Sequence, residues 1–299
     1  MTLTELRYIV TLAQERHFGR AAEKCFVSQP TLSVAVKKLE GELNIAIFER
    51  SKSAVSPTPL GEKIIQQAEK VLAEIRTLQE LADSGKDQLN SPLKVGAIFT
   101  IGPYLFPHLV PQTYQRAPNM SLFIEESYTA VLRRQLREGE LDAIIIALPF
   151  TEPDVMTRPL YDEAFVVVMP KDHALTKFKH IELDMLPDQD LLLLGEGHCF
   201  RDQVLELCPA LVQQQNSRIG SVTQGSSLET LKYMVATGLG ITVLPESAVG
   251  NLDSNLITTR PFASPAPFRT VALAWRASFP RGQAIDLLLD TAGKCLINP

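Results

Sequence analysis

Residues 18–33 read Phe-Gly-Arg-Ala-Ala-Glu-Lys-Cys-Phe-Val-Ser-Gln-Pro-Thr-Leu-Ser, and this stretch decides the amino-terminal fold. A short helix is expected over 19–25, where Ala21 and Ala22 allow close helix approach. Phe26-Val27 interrupts it, Ser28 is a good N-cap, and Pro30 falls in the next first turn, where a missing N–H costs nothing. The helix that follows is predicted over about 29–43, with Leu32, Val36, Leu39 and Leu43 facing inward. Gln29, Pro30, Thr31, Ser33, Val34 and Lys37 are left at its start and outer face, as suits a helix laid into the major groove of duplex DNA. Upstream, Leu3, Leu6, Ile9, Val10 and Ala13 recur at helical spacing and predict a helix over 2–15. Downstream, Asn44–Pro57 reads as two short strands with Arg50 and Lys52 at the tip, a wing able to touch the DNA backbone.

Charge agrees with a small DNA-reading head on an otherwise acidic protein. The 299 residues carry a formal charge of −5, yet residues 1–90 balance at 12 basic and 12 acidic side chains. Within 16–52 there are seven bases against four acids, so the net acidity lies beyond residue 90. With 45% hydrophobic and 21% charged residues the chain reads as globular, and its length suits about two domains. Its start, Met1 to Arg7, reads as an amphipathic helix rather than an export segment, and the longest apolar runs are too short to span a bilayer. A cytoplasmic protein with no membrane association is expected. Four scattered cysteines suit neither a disulfide framework nor a metal cluster, so no metal or cofactor is expected, and Cys25 and Cys295 read as structural.

From Thr58 to about Ser84 the sequence predicts one long helix. Ile64, Ala68, Val71, Ile75, Leu78 and Ala82 alternate at spacings of four and three, a coiled-coil pattern that could pack on its own domain but, with a DNA-binding head attached, is expected to form a seam between two copies of the chain. Strand and helix patterns then alternate from Leu93–Ile98 through Ala143–Leu148, Leu191–Leu194 and Ile241–Leu244 to a last helix over 282–296, which is an α/β pattern.

The wording of 18–33, continued by Lys37-Lys-Leu-Glu and Leu43–Phe48-Glu-Arg, closely resembles the signature of LysR-type transcriptional regulators. That resemblance implies an α-helical winged helix-turn-helix domain (1–58), a linker and dimerisation helix with its hinge (59–90), and an α/β periplasmic-binding-protein-like regulatory domain (91–299). The last would hold two subdomains, 91–162 with 268–299 and 163–267, with a cleft between. It also implies dimeric heads on pseudo-palindromic promoter sites, a homotetramer built as a dimer of dimers, and contact with RNA polymerase.

Residues 195–208, Gly-Glu-Gly-His-Cys-Phe-Arg-Asp-Gln-Val-Leu-Glu-Leu-Cys, carry the second motif. Cys199 stands at the start of a helical pattern, where the helix dipole and the flanking His198 and Arg201 favour the reactive thiolate. Cys208 closes the same segment. In a continuous helix their Cα atoms would lie about 13 Å apart, against the roughly 4.4–6.8 Å that a disulfide tolerates. The pair is thus either two buried small hydrophobes or a redox couple whose bonding requires the helix to unwind.

The wording Gly197-His-Cys-Phe-Arg-Asp-Gln with Cys208 resembles the sensor segment of the peroxide-responsive members of the LysR family. Phe200 stands where some of them have leucine. The stretches Gly96–Leu105, Glu125–Leu132 and Ser226–Leu231 extend the likeness. It implies Cys199 as the peroxidatic cysteine and Cys208 as the resolving one. His198 and Arg201 would activate the site, Thr100 and Thr129 would hold hydrogen peroxide, Asp202 would support them, and cellular dithiols would reset the disulfide. The result is a regulator rather than an enzyme, since a thiol peroxidase has no use for a DNA-binding head. The alternative is a LysR-type regulator that answers a small-molecule inducer in the regulatory-domain cleft.

Overall fold

The computed structural model describes residues 1–50, 55–84, 88–207, 224–250 and 255–295. Two compact units divide the chain, Met1–Lys86 with Arg137–Glu140, and Asp87–Leu136 with Leu141–Pro299.

The first unit is built from α1 (Leu3–Glu15), α2 (Phe18–Lys24), α3 (Gln29–Leu43), a hairpin of β1 (Phe48–Arg50) and β2 (Val55–Pro57), and α4 (Pro59–Ser84). Each helix start has a chemical cause. Thr2 and Glu5 form a reciprocal capping box on α1, His17 accepts the amides of Gly19 and Arg20 at α2, and Ser28 accepts the amide of Thr31 at α3. Leu6, Ile9, Leu12, Ala21, Ala22, Leu32, Val36 and Leu39 make the core, with Cys25 packed at its margin. Leu43 does not join them. It ends α3, where Asn44 turns left-handed, and is left 37% exposed.

The long helix corrects part of the expected seam. Ala68 and Ile65 are buried in the head's own core, with Ile64 and Leu72 packed against it, because the first turns of α4 lie along α1. Val71 and Leu78 remain exposed. Burial therefore claims the beginning of the stripe, Ile64 and Ala68, for the head itself.

The second unit holds β3 (Leu93–Ile98), α5 (Gly102–Arg116), β4 (Leu122–Ser127), α6 (Thr129–Arg137), β5 (Ala143–Ala147) and β6 (Val155–Pro170). It continues with β7 (Leu191–Leu194), α7 (Cys199–Leu207), β8 (Gln224–Gly225), α8 (Leu228–Ala236), β9 (Ile241–Pro245), β10 (Ile257–Pro261), β11 (Phe268–Arg276) and α9 (Gly282–Lys294). Nine strands form one mixed sheet in the order β4-β3-β5-β11-β6-β9-β7-β8, with β10 also on β6.

Two cores share that sheet. One gathers β3, β5 and β11 with α5, α6 and α9; the other gathers the second half of β6 with β7, β9, α7 and α8. Among the described strands β6 contributes to both, with Val155, Leu160 and Tyr161 packed on the first core and Phe165–Met169 in the second, and it pairs antiparallel with β11 from Phe268↔Ala164 to Arg276↔Val155. The first half of β6 and the short β8 and β10 were not among the expected strands. Residues Val155–Asp162 of β6 are half-buried or exposed and lack the continuous apolar run that marks a buried strand. No helix among the described residues is long and apolar enough to cross a membrane, and none of them form a metal-binding group of three or more His, Cys, Asp or Glu.

Candidate functional site

The site assembles at the carboxyl ends of β3, β4 and β7. Thr100 follows β3, Tyr128 and Thr129 lie where β4 passes into α6, and Gly197, His198 and Cys199 lie between β7 and α7. These segments, with Ile98, Phe99 and Ser127, line a partly open cavity of about 10 Å³. That is the space one water needs, and far below the roughly 300–1,000 Å³ of pockets that hold drug-sized ligands.

Cys199 is a half-buried free thiol at the first position of α7. Its own helix belongs to the second core through Phe200 and Val204, yet the Cys199 side chain packs against the first. The thiol therefore sits on the seam between the two. Thr129 lines the same cavity, and its hydroxyl is buried and has no hydrogen-bond partner. A buried hydroxyl without a partner costs on the order of 1–3 kcal/mol, so this oxygen is poised for something that enters the cavity.

Thr100 is held differently. Arg269 Nη1 donates to its hydroxyl at 2.9 Å and Nη2 to its carbonyl at 2.8 Å, while Arg269 Nε donates to Glu163 Oε2 at 2.7 Å. Both charged side chains are buried, and the guanidinium also lies 5.3 Å from the ring centroid of Phe200. Phe200 meets Phe165 edge to face at 5.1 Å. Arg269 and Glu163 thus fix the Thr100 loop against the start of α7. Neither was foreseen, because the three sit in separate strands and loops more than sixty positions apart and no local motif joins them.

His198 is 6% exposed, and burial pushes its imidazole below the ordinary histidine value, partly offset by a hydrogen bond to the Ser226 backbone. It is therefore neutral at pH 7, a hydrogen-bonding group rather than a cation beside the thiol. Its ring packs at 4.8 Å from Tyr128 and 5.9 Å from Phe99, which themselves meet edge to face at 5.2 Å.

Of the expected site residues, Thr100, Thr129, His198 and Cys199 are brought together around one cavity. Arg201 and Asp202 do not line it. Arg201 Nη1 donates to the Leu194 carbonyl at 2.9 Å, tying α7 to the end of β7, and Asp202 is exposed in the first turn of α7. Cys208 lies outside the described residues. In the head, Gln29, Pro30, Thr31, Val34 and Lys37 are exposed on one helix and Ser33 is half-exposed. The Arg50 side chain and Lys52 lie outside the described residues.

Two family models match the chain. Residues 3–62 match the "Bacterial regulatory helix-turn-helix protein, lysR family", and residues 86–294 match the "LysR substrate binding domain". The chain belongs to the LysR family. This LysR-type regulator is 37% identical over 291 residues to the "DNA-binding transcriptional dual regulator OxyR" of Escherichia coli K12, covering 97% of the chain and 94% of that relative. It is 38% identical over 282 residues to the "Hydrogen peroxide-inducible genes activator" of Haemophilus influenzae, covering 94% and 92%. Among solved structures, a full-length cysteine-to-aspartate variant of OxyR from Pseudomonas aeruginosa matches at TM-score 0.77 and 61% identity, covering 99% of this chain and 96% of that one. A hydrogen-peroxide-bound cysteine variant of OxyR from Corynebacterium glutamicum matches at TM-score 0.67 and 35% identity, covering 99% and 92%. The chain is thus an OxyR-like member of a family of DNA-binding transcriptional regulators rather than of enzymes.

Proposed function

We propose that this regulator senses hydrogen peroxide through Cys199 and converts its oxidation into a change of promoter binding and activation of antioxidant genes. The observation that carries the reading is the cavity. It is water-sized, which limits any guest to a very small polar molecule, is lined by Cys199, and is bordered by Thr129, whose hydroxyl is buried and unpartnered. A metabolite-sized inducer has no room there.

In the first step the Cys199 thiolate attacks one peroxide oxygen, the O–O bond breaks, and the departing hydroxide takes a proton to leave as water, with Cys199 as sulfenic acid. Thr129 donates to the peroxide, Thr100 is held ready by Arg269, and neutral His198 supplies a further hydrogen-bonding group. Arg201 and Asp202 act from outside the cavity by fixing the first turn of α7. In the second step the Cys208 thiol displaces hydroxide from the sulfenic sulfur, which leaves as water, and a disulfide forms.

The helix makes that second step a conformational event. Residues Cys199–Leu207 are helical. Eight residues at about 1.5 Å rise place the Leu207 Cα roughly 12 Å from that of Cys199, and one further residue reaches back by only about 3.8 Å. The two cysteine Cα atoms therefore stay beyond the roughly 6.8 Å limit of a disulfide until α7 opens. Opening α7 pulls Phe200 and Val204 from the second core, and the domain must repack.

The wider reading follows the family. Gln29, Pro30, Thr31, Ser33, Val34 and Lys37 meet the major groove, and Arg50 and Lys52 the backbone. Residues 1–58 form the DNA-binding domain, 59–90 the linker, and 91–299 the two-part sensor, working as a homodimer or homotetramer in the cytoplasm with RNA polymerase. Cellular dithiols return the disulfide to thiols. The test is peptide mapping by mass spectrometry of the full chain after one equivalent of hydrogen peroxide. A Cys199–Cys208 bond is expected; Cys199 over-oxidised with Cys208 still a thiol would defeat the switch.

A further inference from the structure

We propose that the Tyr128 ring is the lid of the Cys199 cavity, and that it restricts the sensor to hydrogen peroxide by excluding alkyl hydroperoxides; this rests on the peroxide reading above.

The lid follows from where the ring is held. Tyr128 is the residue between β4 and α6, and its carbonyl accepts the amides of Val131 and Leu132 at 3.0 Å, so its backbone is locked into the first turn of α6. Its side chain lines the cavity, yet remains 40% exposed. One ring thus faces both the thiol pocket and solvent. The other large side chains around the cavity lie deeper, with Ile98 at 3% and His198 at 6% exposed.

Three contacts keep the ring in place. Phe99 meets it edge to face, His198 packs against it at 4.8 Å, and Gly197 forms the floor. Gly197 has φ +92°, and a Cβ there would lie 3.3 Å from Tyr128 Cδ1. A side chain at position 197 would be strained in its own backbone and would also press on the ring. The glycine therefore serves the lid as well as the turn.

The chemistry makes this a matter of specificity. In attack on an alkyl hydroperoxide the leaving group is an alkoxide whose carbon must sit beside the thiol when the O–O bond breaks. A water-sized cavity of about 10 Å³ need widen only slightly for a two-oxygen molecule, whereas the added carbon would have to displace the Tyr128 ring. Removing the Tyr128 ring opens the cavity on its solvent side without touching Cys199, Thr100 or Thr129.

The experiment measures second-order rates of Cys199 oxidation in the reduced full chain, with hydrogen peroxide and with tert-butyl hydroperoxide, for the unaltered protein, Tyr128→Ala and Tyr128→Phe. The unaltered protein is expected to favour hydrogen peroxide. Tyr128→Ala should shift the ratio of the two rates toward the alkyl peroxide by about tenfold, the low end of what a steric pocket distinguishes. Tyr128→Phe, which keeps the ring, should leave the ratio within about twofold of the unaltered protein, since the hydroxyl plays no part in steric exclusion. If Tyr128→Ala does not fold, Tyr128→Leu carries the same expectation with some apolar contact to Phe99 retained. An unchanged ratio in a folded variant overturns the lid, as does an unaltered protein that reacts equally with both peroxides. A Cys199 inert to hydrogen peroxide in the unaltered protein overturns instead the peroxide reading on which the lid depends.

Discussion

Two helix starts carry the function proposed for this protein, and they are built in opposite ways. At the start of α3, Ser28 caps the helix and Gln29, Pro30 and Thr31 are exposed. At the start of α7, His198 is buried, Cys199 is half-buried, and the space before them admits little more than a water. The same dipole and the same exposed amides serve both. What differs is the size of the partner. A duplex needs an open convex face with polar groups in a row, whereas a two-oxygen oxidant needs a closed space with donors on several sides. The first can be made by one helix. The second takes side chains from β3, β4 and α7 at once.

That contrast can be broken in three ways. The largest effect is expected at Arg269, since α7 depends on distant support where α3 does not. Arg269→Met leaves Glu163 buried without its cation and frees the Thr100 loop. It should cost about 3–5 kcal/mol in urea unfolding, the usual penalty for breaking a buried pair from one side. It should also slow oxidation of Cys199. A variant as stable as the unaltered chain would show that the sensor pocket is as locally determined as the head.

A smaller effect is expected at α3. Gln29→Ala should weaken binding to a promoter duplex by about 1–3 kcal/mol at fixed salt while the rate of Cys199 oxidation stays unchanged. Equal binding by the two proteins would remove Gln29 from the interface.

The smallest effect is a pH dependence confined to the sensor. Burial lowers the pKa of His198 from 6.5, so between the folded value and 6.5 the unfolded chain takes up a proton that the folded chain refuses. Stability from this group is complete above about pH 6.5 and is lost as the pH falls below it. Thermal melting from pH 7.5 to 5 should show a decline that His198→Gln flattens. Parallel curves for the two proteins would contradict a buried neutral imidazole.

Much of this was legible in the chain. Ser28 with Pro30, the Ala21-Ala22 pair and the 3.6-residue spacing of Leu32, Val36 and Leu39 specify a helix-turn-helix, because every cause lies within a few residues of its effect. Cys199, His198, Thr100 and Thr129 could be picked out as residues, the last two only through family likeness. The seam on α4 shows where periodicity stops informing. A stripe of Ile64, Ala68 and Val71 says that one face is apolar but not what covers it, and in the fold α1 covers its beginning. Tyr128 carries no signal in the sequence, since a tyrosine at a strand end is ordinary until its neighbours in space are known.

The sequence by itself determined the two-part organisation, the capped helices of the head and the placement of Cys199 at a helix start, all of which depend on local backbone preferences and side-chain chemistry. Only the tertiary structure decided the size of the cavity, the buried Arg269–Glu163 support behind Thr100, the unpartnered hydroxyl of Thr129 and the ring that closes the site. Those are properties of empty space and of contacts between residues far apart in the chain. They exist only once β3, β4, β6, β7 and β11 have been drawn into one sheet.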